Sequence, residues 1–292
     1  MAFGSARGFT FSCGATNEVY DVKPEVELAD VQNSVDERGI ELDRVGVTDL
    51  FYPLTIREKA GGTQVATCRL NIFVGLHAAQ RGAHLSHLVE ALDNYRSRVF
   101  SMDSLVHLLR DVRARQDEHG LAFETAELQI RFMYFLPKLA PASGLSGLVG
   151  YDCGFDVALN RPGHKSVIVN VPIAAVCPCS LEISDVGAHN QRGVVTIQVW
   201  QMLDDTQFIW FEDLIEVAEG AASGDVHSLL RRADEKVVTE KMFREPRFVE
   251  DVVRGVVSGL RSRLKGVRYR VESKHFESIH PHNSYAQTQG EC

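Results

Sequence analysis

The order in which strands and helices recur is the feature that most constrains how this chain folds. Alternating apolar and polar residues predict strands, and apolar residues three to four positions apart predict helices. The first half reads as strand, strand, helix, helix, strand, at residues 40–54, 65–76, 84–99, 101–119 and 124–135. The second half has a similar order, with strands at residues 149–159, 165–176, 194–202 and 267–276 and helices at residues 212–222 and 248–264. We therefore expect an α+β protein built as a tandem repeat of an antiparallel sheet with a helix pair on one face.

The domain organisation follows from this order and from the length of the chain. The 292 residues can form one elaborate domain or two smaller units. Residues 1–25 begin with a stretch rich in Gly, Ser and Ala, which predicts a flexible N-terminal arm. We expect residues 26–145 to form the first unit and residues 146–292 to form the second.

Composition narrows the classes of partner. The formal net charge of −8 and the pI near 5.8 argue against nucleic acid and against an anionic membrane surface as the main partner. No apolar run approaches the roughly 20 residues that span a bilayer, and the N-terminus lacks the pattern of a signal peptide. The six cysteines are spread too thinly for a disulfide scaffold. These features predict a cytoplasmic protein, and they leave room for an anionic small molecule held by a few local cations.

Thiol and imidazole groups cluster around residue 180. The motif Cys-Pro-Cys-Ser at 177–180 is followed by Gly-Ala-His at 187–189, among small and turn-forming residues. Thiolate and imidazole are ligands that Zn²⁺ and Fe²⁺ prefer. The twelve positions from Cys177 to His189 do not match a zinc-finger spacing, so further metal ligands would come from elsewhere in the chain. Two interpretations of this motif stay open: a metal or catalytic site, or small buried residues in a turn.

Other candidate groups stand near the first long helix and towards the C-terminus. His280 and His282 flank a proline, and they either bind nothing in particular or act as two stiffly held imidazoles. Carboxylates at 234–235, 240 and 250–251 either face water or supply an oxygen ligand or a base. His84 and Ser86 open the first predicted helix, where they either cap the helix or bind a phosphate.

Together these motifs resemble those of the type IB GTP cyclohydrolases, a prokaryotic family with the tunnelling fold. The similarity runs from about residue 30 to residue 286. Its blocks in the first half are Asp-Val-Gln-Asn at 30–33, Val-Gly-Val at 45–47, Tyr-Pro at 52–53 and Gly-x-His-x-Ser at 82–86. Its blocks in the second half are Cys-Pro-Cys-Ser-x-Glu-Ile-Ser at 177–184, Gly-Ala-His-Asn-Gln-Arg at 187–192, Asp-Glu-Lys at 234–236, Phe-Val-Glu-Asp at 248–251 and Glu-Ser-Ile-His-x-His-Asn at 277–283. So many blocks in the same order make the resemblance specific.

The resemblance implies an activity, an assembly and a cofactor. Members of the family open the imidazole ring of the guanine in GTP at C8 and release formate. They form 7,8-dihydroneopterin triphosphate, which is the first step towards folate. The tunnelling fold builds barrels across subunits, so the resemblance implies a homotetramer with active sites at subunit interfaces. The implied partner is GTP or a related purine nucleotide, and the implied cofactor is a divalent metal, Zn²⁺, Mn²⁺ or Fe²⁺.

The resemblance also implies roles for individual residues in metal binding and catalysis. The implied metal ligands are Cys177, His189 and Glu235. Glu250 would act beside the metal as a base or an alternate ligand. The implied catalytic residues are Cys177, Glu250, His280 and His282, with the two histidines as proton shuttles.

Four further residues would bind the substrate. Glu277 would hold the guanine edge, because a carboxylate can accept hydrogen bonds from the ring N–H and the exocyclic amine together. His84, Ser86 and Arg192 would contact the phosphates. Cys179 is expected to be structural.

Three positions depart from the family pattern. Family members usually carry Met-Ser-Arg where this chain has Leu85, Ser86 and His87, and they carry lysine where it has Leu181. Two cations near the expected nucleotide site are therefore replaced. Two alternatives to a GTP cyclohydrolase follow: a diverged enzyme for a different or less charged purine nucleotide, and a non-catalytic metal-binding protein of the same fold.

Overall fold

Long antiparallel strands dominate the computed structural model, which describes residues 30–118, 125–160 and 162–292, without the side chains of 115–118. The strands in these residues are β1 (Leu42–Arg57), β2 (Thr63–Leu76), β3 (Val99–Phe100), β4 (Ala126–Leu139), β5 (Ser146–Ala158), β6 (His164–Val176), β7 (Asn190–Met202), β8 (Gly224–Asp225), β9 (Arg268–His275) and β10 (Ser284–Glu291). The helices are α1 (Leu85–Asp93), α2 (Met102–Glu118), α3 (Pro178–Ile183), α4 (Phe211–Ala221), α5 (Arg232–Arg244) and α6 (Val249–Arg263). Among these helices, none combines the length and the hydrophobicity needed to cross a membrane. The mixed α+β class expected from the sequence is confirmed.

One continuous sheet runs through both halves of the chain. Its strand order is β10-β9-β7-β6-β5-β4-β2-β1-β3, with β8 paired to β6. The long neighbouring strands are antiparallel, and only the two-residue β3 runs parallel to its neighbour β1. The two halves meet where β4 pairs with β5 over thirteen positions, from Glu127↔Ala158 to Leu139↔Ser146. The predicted division at residue 145 falls in the turn of this hairpin and stays a prediction, and the predicted arm of residues 1–25 lies outside the described residues.

Side-chain alternation gives the sheet a covered face and an open face. In β2, for example, Cys68, Leu70 and Ile72 are buried, whereas Arg69 between them is exposed. The helices lie on the covered face, where α1 packs against α2 and α4 packs against α6. Buried apolar residues from both halves join in one hydrophobic cluster. The chain therefore hides one side of a very wide sheet beneath its helix layer.

Helix α5 was not predicted, because its sequence is highly charged and buries only one residue, Asp234. Hydrogen bonds between α5 and neighbouring segments hold the helix in place. The Asp234 carboxylate accepts hydrogen bonds from the backbone N–H of Ala142 (2.8 Å) and of Ser143 (2.7 Å), and from the Ser143 hydroxyl (2.8 Å). Further along the helix, the Lys241 ammonium donates to Asp225 in β8 (3.1 Å). These polar contacts fix the segment that leads into α6.

The segment after β9 corrects another prediction. Residues 267–276 were expected to form the last strand before a polar tail, but this tail forms the edge strand β10, which pairs with β9 from Ser284↔His275 to Glu291↔Arg268. The sequence of β10 is polar on both faces, so it lacks the apolar alternation that marks a half-buried strand. The first helix is also shorter than its predicted range of 84–99, since α1 ends at Asp93 and a turn leads to β3.

Candidate functional site

The register between β6 and β7 brings Cys177 and His189 together. Val176 and Asn190 form the last pair of this ladder, so Cys177 and His189 are the next residues on each side. The backbone N–H of Cys177 donates to the carbonyl of His189 (3.2 Å). The twelve-position separation is thus the length of a hairpin connection that contains the short helix α3.

The connection itself is closed by Ser180. Its hydroxyl donates to the carbonyl of Cys177 (3.2 Å) and accepts from the backbone N–H of His189 (3.2 Å). Gly187 has a φ of +70°, a conformation that L side chains rarely adopt, and it turns the chain back towards β7. The small and turn-forming residues of the motif therefore hold the thiol and the imidazole at neighbouring positions.

A cavity of about 280 Å³ opens beside these two residues, and we call it the Cys177 pocket. Three parts of the chain line it: the ends of β6 and β7, the start of α6, and the β9–β10 connection. Its chemically active lining residues are Cys177, His189, Glu250, Glu277, His280 and His282. Six residues that lie up to 105 positions apart in the sequence thus share one pocket.

Glu277 is held at the centre of a polar cluster in this pocket. The Ser284 hydroxyl donates to Glu277 Oε1 (2.7 Å), and Glu277 Oε2 lies 4.0 Å from His189 Nδ1. The rings of His280 and His282 stack with centroids 5.1 Å apart and an angle of 10° between their planes. The Glu277 carboxylate is therefore oriented by its neighbours, with two parallel imidazoles on the same connection.

Several buried polar atoms of the pocket have no hydrogen-bond partner among the described residues. They are His189 Nδ1, Gln191 Oε1 and His275 Nε2. Burial lowers the pKa of His275, and the carboxylates of Glu277 and Glu250 only partly oppose this effect. Because buried polar groups are normally hydrogen-bonded, three unpaired atoms around one cavity indicate a site that a ligand completes.

The donor types fit a divalent metal, since a thiol and an imidazole with an unpaired ring nitrogen stand side by side. In the described part of the chain, no third side chain stands close enough to join them as a ligand. Glu235 lies exposed on α5 and outside the lining of the Cys177 pocket. Across the described ranges, no three His, Cys, Asp or Glu side chains stand close enough to hold a metal ion. The complete ligand set Cys177, His189 and Glu235 therefore stays a prediction.

The residues expected at the phosphates lie elsewhere in the chain. His84 precedes α1, where its Nε2 lies 3.3 Å from the side-chain oxygen of Asn33 and 3.5 Å from Asp30. Ser86 is on the first turn of α1. Arg192 follows the lining residue Gln191 in β7, so it points to the opposite face of the sheet. The structure of one chain does not bring these three residues to the Cys177 pocket.

Four polar lining residues received no role in the sequence analysis: Gln191, Arg247, His275 and Ser284. His275 lies on the covered face of the strand predicted at 267–276, so its polar character on an apolar face was an available signal. Gln191 precedes the strand predicted at 194–202, because β7 begins at Asn190, earlier than alternation indicated. Arg247 had no such signal. Its position is fixed by a hydrogen bond from its backbone N–H to the carbonyl of Val176 (3.1 Å), a contact that joins segments far apart in sequence.

Comparison with solved structures supports the fold. The chain is similar to a highly active mutant of BTUO, with a TM-score of 0.50 and 10% sequence identity over 86% of this chain and 100% of that one. It is also similar to the uricase from Arthrobacter globiformis, with a TM-score of 0.48 and 7% identity over 86% of this chain and 93% of that one. At such low identity the first similarity indicates the fold alone, and the tunnelling fold of urate oxidase-like proteins is the one it indicates.

Comparison with known sequences shows the family. Residues 28–286 match the family model described as type I GTP cyclohydrolase folE2. A GTP cyclohydrolase FolE2 from Geotalea uraniireducens is 40% identical over 89% of this chain and 92% of its own length. The FolE2 proteins of Syntrophobacter fumaroxidans and Dictyoglomus thermophilum are 41% and 42% identical, over 89% of this chain in both cases and over 98% and 96% of their own lengths. This chain therefore belongs to the type I GTP cyclohydrolase FolE2 family.

Proposed function

We propose that this chain is a GTP cyclohydrolase that opens the guanine imidazole ring at C8 in the Cys177 pocket. The reaction releases formate and yields 7,8-dihydroneopterin triphosphate for folate biosynthesis. The observation that carries the proposal is the meeting of Cys177, His189, Glu250, Glu277, His280 and His282 in one cavity lined by unpaired buried polar atoms. The family of the chain supports the same activity.

Guanine recognition falls to Glu277. Its carboxylate can accept from the ring N–H and the exocyclic amine of guanine as a bidentate pair. The hydrogen bond from Ser284 fixes the carboxylate plane through Oε1 (2.7 Å), and this oxygen retains a further lone pair for the base. Glu277 thereby sets which edge of the purine enters the pocket.

Proton transfer falls to Glu250 and the two stacked histidines. Glu250 stands at the start of α6 and lines the same pocket as the β9–β10 connection. It accepts a proton from the water that attacks C8, while His280 and His282 hold and return protons at the purine nitrogen that leaves.

Cys177 and His189 would hold the divalent metal, with Glu235 as the third ligand implied by the family resemblance. A divalent cation bound there supplies Lewis acidity to water at the reacting carbon. Zn²⁺, Mn²⁺ and Fe²⁺ all accept a set of thiolate, imidazole and carboxylate. Cys179 would not take part, since its side chain is exposed and does not line the pocket.

The proposal includes a homotetramer in the cytoplasm, with barrels formed across subunits and active sites at the interfaces. Two observations support shared sites. His84 and Ser86 do not line the Cys177 pocket of their own chain, and the edge strand β10 carries the Ser284 end of that pocket. An edge strand offers unpaired backbone groups to a neighbouring chain, which could carry the first-half residues of a second copy to the pocket.

Incubation of the purified protein with GTP and with Zn²⁺, Mn²⁺ or Fe²⁺ tests the proposal. Mass analysis of the products should show formate and dihydroneopterin triphosphate with at least one metal. Turnover of a less charged purine nucleotide but not of GTP would support the diverged enzyme instead. Absence of metal binding and of any nucleotide turnover would support the non-catalytic protein.

A further inference from the structure

We propose that Arg247 selects guanine in the Cys177 pocket by donating a hydrogen bond to O6 of the base. Arg247 lines this pocket, and it belongs to none of the sequence blocks that indicate the family. This role of Arg247 rests on the proposed function, because it concerns the base of the same substrate.

The edge of guanine that Glu277 holds requires a donor from the protein as well as two acceptors. The exocyclic amine and the ring N1–H donate hydrogen bonds, whereas O6 beside them accepts. The Glu277 carboxylate accepts from the first two groups, but an ionised carboxylate has no proton to donate to O6. A carbonyl oxygen left unpaired in the pocket costs free energy. A second side chain therefore has to supply the donor.

Arg247 has the most accessible donors among the polar lining side chains that have no other role. Gln191 and His275 also line the pocket, but they are only 9% and 1% exposed, whereas Arg247 is half-buried. Within the described residues, the Arg247 guanidinium forms no salt bridge, and its one hydrogen bond is a long one from Nη1 to the carbonyl of Pro246 (3.4 Å). A guanidinium has five N–H donors, so several of them remain for a ligand.

The position of Arg247 in the fold agrees with the order of atoms around the purine. From the edge held by Glu277, the next atoms are O6, N7 and the reacting C8. Glu277 stands beside His189, with 4.0 Å between Oε2 and Nδ1. Arg247 is tied to the residue before Cys177, because its backbone N–H donates to the carbonyl of Val176 (3.1 Å). A base that reaches from Glu277 to Cys177 has O6 and N7 on one side and the ribose on the other, and the donors of Arg247 complement the side with the two acceptors.

A cationic donor at O6 has consequences for both selectivity and reactivity. The 6-amino group of adenine is itself a donor, so Arg247 faces it without a hydrogen bond and rejects adenine nucleotides. In guanine, the guanidinium polarises O6 and withdraws electron density from the imidazole ring, which favours attack of water at C8. The carboxylates of Glu250 and Glu277 line the same pocket and offset the charge of the arginine.

The test compares guanosine with 6-thioguanosine as competitive inhibitors of GTP turnover. Both nucleosides lack phosphate and keep the two donors for Glu277, but 6-thioguanosine carries sulfur, a weak acceptor, in place of O6. Arg247→Met should raise the Ki of guanosine about tenfold, the change expected for one charged hydrogen bond, and the Ki of 6-thioguanosine about threefold or less. Arg247→Lys keeps a charged donor and should recover most of the affinity for guanosine.

Arg244→Met is the matched control. Arg244 ends α5 three positions before Arg247, is 72% exposed, pairs with Glu240 (2.8 Å) and does not line the pocket. Its replacement removes the same charge and should leave both inhibition constants unchanged. Melting curves check that the variants are folded.

Two results would overturn the contact with O6. An equal rise of both inhibition constants in Arg247→Met would show a role that does not depend on O6. An unchanged Ki of guanosine together with a raised KM for GTP would place Arg247 at the phosphates instead. If the wild-type protein forms no pterin, the proposed reaction fails, and calorimetric Kd values of the same two nucleosides then decide on Arg247 alone.

Discussion

Replacement of Asp225 by asparagine should destabilise the part of the molecule that carries α5 into α6. The Asp225 carboxylate accepts from Lys138 Nζ (2.8 Å) and Lys241 Nζ (3.1 Å) and lies 3.1 Å from His227 Nε2. Lys138 also pairs with Glu219 of α4 (2.6 Å). The network thus ties strands β4 and β8 to helices α4 and α5, directly before the segment that positions Glu250.

The size of the effect follows from the exposure of each partner. Removing one partner of a fully buried ion pair costs about 3–5 kcal/mol. Here Lys138 is 14% exposed and keeps Glu219, while Lys241 is 44% exposed and its pair is screened by solvent. We therefore expect a loss of about 3 kcal/mol, equivalent to a melting temperature lower by roughly 5 °C for a chain of this size.

The effect should also depend on pH in a defined direction. Burial favours the neutral acid of Asp225 and is the largest single influence, but Lys138 and Lys241 together outweigh it and hold the pKa of this carboxyl well below its ordinary value of 3.8. A carboxyl whose pKa is depressed by folding stabilises the protein above its ordinary pKa and loses that contribution as the pH falls towards the depressed one. The difference between the wild type and Asp225→Asn should therefore be full at pH 7 and shrink below pH of about 4.

Thermal unfolding followed by circular dichroism between pH 3 and 7 is the assay. Asp49→Asn serves as the control, because Asp49 is 68% exposed with one long contact of 3.8 Å to Arg69. Asparagine also tolerates the positive φ of 54° at this position. Equal melting temperatures for Asp225→Asn and the wild type at neutral pH, or a difference that grows on acidification, would refute the reasoning.

Two further predictions concern the Cys177 pocket. Glu277→Gln removes the bidentate acceptor for guanine and should lower kcat/KM for GTP by about 10- to 100-fold. Ser284→Ala removes only the hydrogen bond that orients the Glu277 carboxylate, so it should lower kcat/KM less than about tenfold. Steady-state pterin fluorescence measures both variants, and a larger loss in Ser284→Ala than in Glu277→Gln would contradict the assigned roles. Gly193→Ala places a Cβ 2.8 Å from His275 Cδ2 and 3.0 Å from the backbone oxygen of Lys274, so it should displace His275 and reduce turnover of GTP. Gly220→Ala is the control and should retain turnover, because the space around its Cβ is open. Unchanged kinetics in Gly193→Ala would show that the position of His275 is not needed.

Much of the fold could be predicted because the long strands obey simple alternation. The strand at 194–202 corresponds to the second part of β7, and the predicted strands at 65–76 and 165–176 differ from β2 and β6 by at most two residues at either end. The alternation of apolar and polar residues does not predict elements that bury no apolar face. The strand β10 is polar on both faces and forms through backbone hydrogen bonds to β9. Helix α5 is held by polar contacts of Asp234 and Asp225 rather than by an apolar face.

The identity of several site residues could be predicted from sequence blocks, but their proximity could not be predicted from local patterns. Sequence blocks indicated Cys177, His189, Glu250 and Glu277 as functional, and the structure places them in one pocket. Their proximity depends on strand register and on the α5–α6 connection, which local patterns do not determine. Glu235, which the family resemblance implies as a third metal ligand, lies outside the pocket of a single chain, so local sequence patterns do not place it there.

The central claim is that the Cys177 pocket carries the cyclohydrolase reaction, and comparison of Cys177→Ala with Cys179→Ala tests it most directly. The two cysteines stand two residues apart, but only Cys177 lines the pocket. Metal content by mass spectrometry and formate release from GTP should both be lost in Cys177→Ala and kept in Cys179→Ala, with the same oligomeric state in both variants. Near-normal formate release by folded Cys177→Ala protein would contradict the assignment of the pocket as the reaction site.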